Sequence, residues 1–364
     1  MIQELINRYK RMRTERFLRQ TYQYSYAFVG MGQHSLTNLY PVLHYLGVPL
    51  KYICVTSERK AQLIERKFIG VKATTSLDEI LKDEAIKGVF VSASPSAHFY
   101  IASRVLQSGK SLFIEKPPCQ TLEELDTLIA LQQQNGSPVA MVGLQKRYAP
   151  AVIILKQRIG KERLINYDLH YLTGAYPEKQ RAGEGVPGMG DALLDLYIHP
   201  LDLVCHLFGK PEIIASRQIA KDSYILMLQH PHIVGTLELS TTYSWTAAEE
   251  SLKVCTRSGI YRLSQMDELA FTSTPSTVFG IPIEKLRPYH ETKELLFHRN
   301  NFTPILVNNQ IHSQGYFNEI TNFVNAVEGL GNKISTSFRN VRDTYEIICK
   351  FKGTGLSFLL DLID

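Results

Sequence analysis

The chain has 364 residues, 44% hydrophobic and 21% charged, the balance of a globular protein long enough to close two cores. No window reaches the ~18 consecutive apolar residues of a membrane span, and apolar runs recur from Tyr26 onward, which excludes a disordered chain. The formal net charge of +5 is gathered at the front: Met1–Gln20 holds six basic and two acidic residues, so the rest is nearly neutral and offers no distributed basic face for a nucleic acid.

Five scattered cysteines (Cys54, Cys119, Cys205, Cys255, Cys349) form no C-x-x-C pair, which argues against a disulfide framework or a structural zinc site. The opening residues lack an apolar h-region and a small-residue cleavage site. The expectation is a soluble cytoplasmic protein.

Residues 1–22 read as a basic helical extension, with Ile2, Leu5, Ile6, Tyr9, Met12, Phe17 and Leu18 roughly on one side. Such a helix would clamp on the body or on a neighbouring subunit; the other reading is an arm for a membrane surface or an acidic partner. From Tyr26 the pattern becomes strand and helix in alternation. Strands are expected at Tyr26–Val29, Leu50–Val55, Gly88–Val91, Ser111–Ile114 and Val139–Val142. Between them fall helices at Ser35–Leu46, Glu58–Phe68, Leu77–Lys82, Ala97–Gln107 and Leu122–Gln133. Strands with so little polar alternation are buried on both faces, as in a parallel sheet flanked by helices. Residues 23–144 are therefore read as a doubly wound, Rossmann-type α/β domain.

Beyond Gln145 the character shifts. A strand at Ile165–Leu172, a Gly- and Pro-rich loop (Gly174–Gly190) and a helix over Asp191–Phe208 precede a run of strands. These are Glu212–Gln218, Ser223–Gln229, Ile233–Tyr243, Ser251–Thr256 and Tyr261–Leu263, with no helices between them. Helices around Gly315–Glu328 and Asn340–Leu360 close the chain. Successive strands without crossovers make a mostly antiparallel open sheet, so residues 145–364 are read as an α+β domain.

Three constellations carry chemistry. Gly30-Met31-Gly32-Gln33-His34-Ser35 follows the first strand, where glycines let the chain turn sharply and bring backbone amides to a pyrophosphate. The second strand ends at Thr56 without the carboxylate that would grip an adenosine ribose. Ser57, Arg59 and Lys60 there suit a 2′-phosphate, with Glu58 as the competing ribose acceptor. Glu115-Lys116-Pro117 sets a lysine at the carboxyl edge of the sheet. Asp195 and His199 stand four apart on the expected helix, so the acid can hold the imidazole. The stripe Asp195, His199, Asp202 and His206 imitates a metal site, but one straight helix cannot wrap an ion, and no metal is assigned. No G-x-S-x-G or paired Cys/His motif supports a serine or cysteine nucleophile.

Taken in order, these motifs resemble the Gfo/Idh/MocA oxidoreductases, relatives of glucose–fructose oxidoreductase and inositol dehydrogenase. Ser94-Pro95-Ser96-Ala97-His98, Gln145-Lys146-Arg147-Tyr148 and Gly190-Asp191-Ala192-Leu193-Leu194-Asp195 with His199 and Asp202 complete the set. The resemblance covers Tyr26 to about Gly209. It implies a nicotinamide cofactor and an open second sheet that makes subunit contacts in a dimer or tetramer; the residues at the tip of the second strand slightly favour NADP over NAD. Lys116, Asp195 and His199 take the catalytic positions. Gly30, Gly32, Gln33, His34, Thr56, Ser57, Arg59, Lys60, Ser94, Pro95, His98, Glu115, Lys116 and Gln145 take cofactor-binding positions, and Arg147, Tyr148 and Tyr197 substrate-binding ones. Tyr197 replaces a common family glycine, and a cis Lys116–Pro117 bond is expected. The implied activity is hydride transfer between nicotinamide and a secondary alcohol or ketone of a sugar, cyclitol or related polyol. The alternatives are a redox-cycling lyase or glycosidase with tightly bound cofactor, and a non-catalytic nicotinamide-binding regulator.

Overall fold

The computed structural model describes residues 2–19, 21–174, 192–274, 276–286, 293–300, 309–331 and 334–354. The Gly- and Pro-rich loop from 175, the Gly190-Asp191 pair and the end of the last expected helix lie outside the described residues.

Six strands make the first sheet: β1 (Ser25–Val29), β2 (Leu50–Cys54), β3 (Lys72–Thr74), β4 (Ile86–Val91), β5 (Ser111–Glu115) and β6 (Ala140–Gly143). All pair in parallel, in the order β3-β2-β1-β4-β5-β6. The order reverses between β1 and β4, and the loops leaving their carboxyl ends part there to form a crevice. Side chains alternate across the strands, and both sides are apolar. Ala27, Val29, Val89, Val91, Leu112 and Ile114 pack with α5 (Pro95–Gln107) and α6 (Leu122–Gln134). Tyr26, Phe28, Phe90 and Phe113 face the opposite way. The three-residue edge strand β3 was not expected, because Lys-Ala-Thr is too short to carry an apolar run.

A 3₁₀ turn at Gln145–Tyr148 leads into α7 (Pro150–Ile159), a helix that the sequence reading passed over. The second sheet follows: β7 (Leu164–Leu172), β8 (Glu212–Ala220), β9 (Ser223–Gln229), β10 (Val234–Ser240), β11 (Glu249–Thr256), β12 (Gly259–Ser264), β13 (Glu268–Ser273) and β16 (Lys293–His298). A small ribbon of β14 (Thr277–Val278) and β15 (Ile281–Pro282) lies between the last two in sequence. The order is β16-β13-β12-β11-β7-β10-β9-β8, antiparallel except where β10 joins β7 in parallel.

The helix expected over Asp191–Phe208 is two helices, α8 (Ala192–Asp195) and α9 (Ile198–Phe208), broken at Leu196 and Tyr197. Tyr197 is the reason. It is wholly buried, its hydroxyl donates to the Asp222 carbonyl, and Tyr171 and Tyr224 meet its ring edge-on at 6.2 Å each. Tertiary anchoring of one large side chain here outweighs local helical preference.

The remaining helices are α10 (Ile283–Leu286), α11 (Gln310–Ser313), α12 (Tyr316–Val327) and α13 (Phe338–Thr354). The chain returns through α12 to the aromatic face of the first sheet, where Phe323 lies 5.1 Å from Phe90 and 5.8 Å from Phe113. Glu328 then accepts from the backbone amides of Gln23 and Tyr24 and from the Tyr26 hydroxyl, tying this helix to the first strand. The basic helix α1 (Ile2–Arg19) is formed, and its side chains from Ile2 to Glu15 are all exposed.

Candidate active site

The carboxyl edge of the first sheet gathers the expected residues. Gly30 leaves β1 at φ +85°, and a Cβ on it would lie 2.4 Å from the Ser92 carbonyl oxygen beyond β4. Ser35, where the fingerprint usually has Gly or Ala, is buried and donates to the Ser92 hydroxyl at 3.0 Å, clasping the turn to β4. Gly32 differs, since a Cβ there would meet nothing within 4 Å. No atom of the described residues demands that glycine, whereas a pyrophosphate brought close to the backbone would. The helix after it opens with a π turn, Ser35–Leu39, before α2 (Tyr40–Leu46). The glycine cradle fits a dinucleotide.

The rim of the same crevice is exposed at Thr56, Ser57, Arg59 and Lys60, the last three leading into α3 (Glu58–Lys67). Ser57 caps that helix by accepting from the Lys60 amide at 3.4 Å. Glu58 accepts from the Thr75 hydroxyl at 2.7 Å, which ties it to the loop after β3. Across the cradle, His34 Nε2 lies 3.2 Å from Glu115 Oε1, and its ring meets Tyr316 edge-on at 5.7 Å. Burial opposes charge on His34, but the Glu115 carboxylate outweighs it and raises the ring's pKa. Gln145 donates to the Tyr316 hydroxyl at 3.3 Å, so both expected cofactor residues adjoin α12. Ser94 and Pro95 open α5, Ser94 exposed; His98, one turn further, is buried at 1% exposure.

Lys116 follows β5 through the expected cis bond to Pro117. Its ammonium donates to Asp195 twice, to Oδ1 at 2.9 Å and to the backbone carbonyl at 2.5 Å. The carboxylate expected to hold His199 thus holds the lysine, because the break at Tyr197 takes Asp195 off the helix that carries His199. The His199 Nδ1 is buried and has no hydrogen-bond partner among the described residues. Burial, with the charges of Lys116, Lys146 and His34, holds this ring well below its ordinary pKa. It is a neutral imidazole beside an ammonium, able to accept a proton.

Lys146, absent from the expected catalytic set, completes the cluster. It pairs with Glu250 at the start of β11 and lies 4.7 Å over the Tyr171 ring. Burial pushes this ammonium below its ordinary pKa despite Glu250. The Gln-Lys-Arg-Tyr motif carried a signal for Lys146; nothing in the sequence marks Glu250, a hundred residues later.

The three expected substrate contacts face elsewhere. Arg147 makes a buried fork with Asp202, Nε to Oδ2 at 2.7 Å and an Nη to Oδ1 at 2.5 Å, and donates to the Ser335 and Asn340 carbonyls. The Tyr148 hydroxyl accepts from the Ser335 amide at 3.0 Å, and Tyr197 is bound to Asp222 as described. The polar atoms of these three side chains are engaged by residues of the second half of the chain.

Residues 24–144 match the family described as "Oxidoreductase family, NAD-binding Rossmann fold" (GFO_IDH_MocA). The chain is 27% identical over 184 residues to putative oxidoreductase YceM of Salmonella typhimurium, covering 50% of this chain and 57% of that protein. It is 26% identical over 166 residues to scyllo-inositol 2-dehydrogenase (NADP(+)) IolW of Bacillus subtilis, covering 44% and 46%. The alignments therefore span about half the length of these relatives. In fold, a dehydrogenase from Chromobacterium violaceum superposes with a TM-score of 0.74 at 19% identity, covering 92% of this chain and 95% of that one. Levoglucosan dehydrogenase, in complex with NADH and levoglucosan, gives 0.72 at 18% identity, covering 89% and 94%. With its glycine turn and Glu-Lys-Pro strand end set in a parallel sheet, the segment 24–144 is an NAD-binding Rossmann domain of the Gfo/Idh/MocA oxidoreductase type.

Proposed function

We propose that this protein is an NAD(P)-dependent oxidoreductase acting on a secondary alcohol or ketone of a sugar, cyclitol or related polyol. Residues 23–144 hold the dinucleotide, and residues 145–364 hold the substrate and assemble copies through the open second sheet. The convergence of Lys116, Asp195 and a neutral, half-buried His199 at the carboxyl edge of the first sheet carries this reading. A bound nicotinamide supplies or accepts the hydride. His199 takes the hydroxyl proton when the carbinol is oxidised and returns it in the reverse direction. Lys116, aimed by Asp195, donates to the same oxygen and stabilises charge that develops there. Absorbance at the reduced-nicotinamide band across a panel of polyols and keto-sugars tests the proposal. Bound cofactor without turnover on any of them would favour the regulator.

For the cofactor, the proposal is that NADPH is accepted and preferred. Arg59 and Lys60 are exposed at the rim, and Thr75 ties Glu58, the ribose competitor, to the loop after β3. One or two exposed charge-assisted contacts amount to about 1–2 kcal/mol, or roughly tenfold in Kd. Paired fluorescence titrations should show NADPH binding tighter than NADH within that margin. Tighter binding of NADH by more than tenfold would return Glu58 to the ribose.

A further inference from the structure

The loop after β4 and the turn after β5 are linked by one side chain. His98 lies one turn into α5, and helical side chains lean back toward the helix N-terminus. Here that direction leads to the two strand ends. Nδ1 lies 2.7 Å from the Pro117 carbonyl oxygen and Nε2 3.0 Å from that of Ala93. Ala93 follows Ser92, which carries the contacts to Gly30 and Ser35; Pro117 follows Lys116. With both ring nitrogens facing backbone carbonyls in a buried position, His98 cannot touch a cofactor directly, which replaces the expectation that it binds one.

We propose that His98 is a positioning residue for Lys116, its ring wedged between the carbonyls of Ala93 and Pro117 with its one N–H bonded to Pro117, so fixing the turn that presents the lysine. The catalytic part of this inference rests on the role given to Lys116 above; the bond to Pro117 does not. Burial lowers the pKa of the ring, which favours the neutral form with a single N–H. The shorter contact takes that proton, so Nδ1–H donates to Pro117. The lysine turn is then held by a bond that reaches across from the helix after the neighbouring strand.

Two polar variants separate the contacts. His98→Asn puts an amide N–H near the place of Nδ1, His98→Gln puts one near Nε2, and His98→Leu keeps neither. The full-length protein is reductively dimethylated with ¹³C, and the Lys116 methyl signal is assigned by its loss in Lys116→Arg. The expected result is that His98→Asn leaves this signal in place, while His98→Gln and His98→Leu move it toward the position of solvent-exposed lysines. With a turned-over substrate in hand, His98→Gln and His98→Leu should lose about 30–100-fold in kcat, KM and the NADPH Kd staying within about threefold. His98→Asn should recover most of that loss. A Lys116 signal unmoved in folded His98→Gln and His98→Leu would overturn the proposal, as would an NADPH Kd that weakens in step with kcat. Should the wild type turn over no substrate, the activity reading fails and the Lys116 signal still decides the bond to Pro117.

Discussion

Gly30 and Gly32 stand two residues apart and are glycine for different reasons. At Gly30 the backbone is left-handed and the Ser92 carbonyl leaves no room for a methyl group. Gly30→Ala should therefore destabilise the fold by about 1–3 kcal/mol, as strain and overpacking do together. At Gly32 the protein leaves open space, so Gly32→Ala should keep Tm within a degree or two while NADPH affinity falls about tenfold or more, on the order of one lost close approach. Calorimetry and fluorescence titration on both variants check the pair. Unchanged affinity in Gly32→Ala would mean the dinucleotide does not approach that amide. The lysine shows the opposite split. Lys116→Ala should leave cofactor affinity within a few-fold while kcat falls about 10²–10³-fold, the scale of one lost oxyanion donor. Equal losses in both would make Lys116 a cofactor anchor.

Among the elements, the strands of the first sheet other than the edge strand β3 were legible because each is a short apolar run, and so was the glycine turn between β1 and the helix after it. The break at Leu196 and Tyr197 was not. Leu and Tyr both accept a helix, and only the distant Asp222 carbonyl, with Tyr171 and Tyr224, draws the chain out of it. The i, i+4 spacing of Asp195 and His199 was therefore present in the sequence without the shared face it implies. Arg147 was misread for a similar reason. A basic residue in a family motif near a sugar site reads as a substrate contact, but its partner Asp202 lies 55 positions along and is itself bonded by Thr344 at 3.0 Å. Breaking such a buried fork leaves an uncompensated charge, at a cost of about 3–5 kcal/mol. Arg147→Met should show that loss in urea unfolding, and adding Asp202→Leu should restore a good part of it. A variant of native stability with only a raised KM would return Arg147 to the substrate.

At the scale of the whole molecule, protonation is linked to folding. Burial lowers the pKa of His98, His199, His230 and His312 and pushes His206 down to about 3, whereas His34 is raised. A ring with a depressed folded pKa contributes its full stability above the unfolded value of about 6.5 and loses it as pH falls below that. Among the described residues, His34 acts with the opposite sign, and so does the buried carboxyl of Glu319, whose pKa burial raises: two groups against five. Tm followed by circular dichroism should therefore begin to fall near pH 6.5, before the exposed carboxylates titrate; a flat Tm down to pH 5 would contradict the linkage. The return of α12 onto the first sheet has its own consequence, in the order of synthesis. The six strands are complete at Gly143, yet Phe90 and Phe113 wait for Phe323. At roughly 5–20 residues per second, the stretch from there to Tyr316 takes roughly 10–35 s to emerge from the ribosome. During that interval the nascent dinucleotide-binding half carries an uncovered aromatic strip, and its core closes only when the second half arrives to fill it.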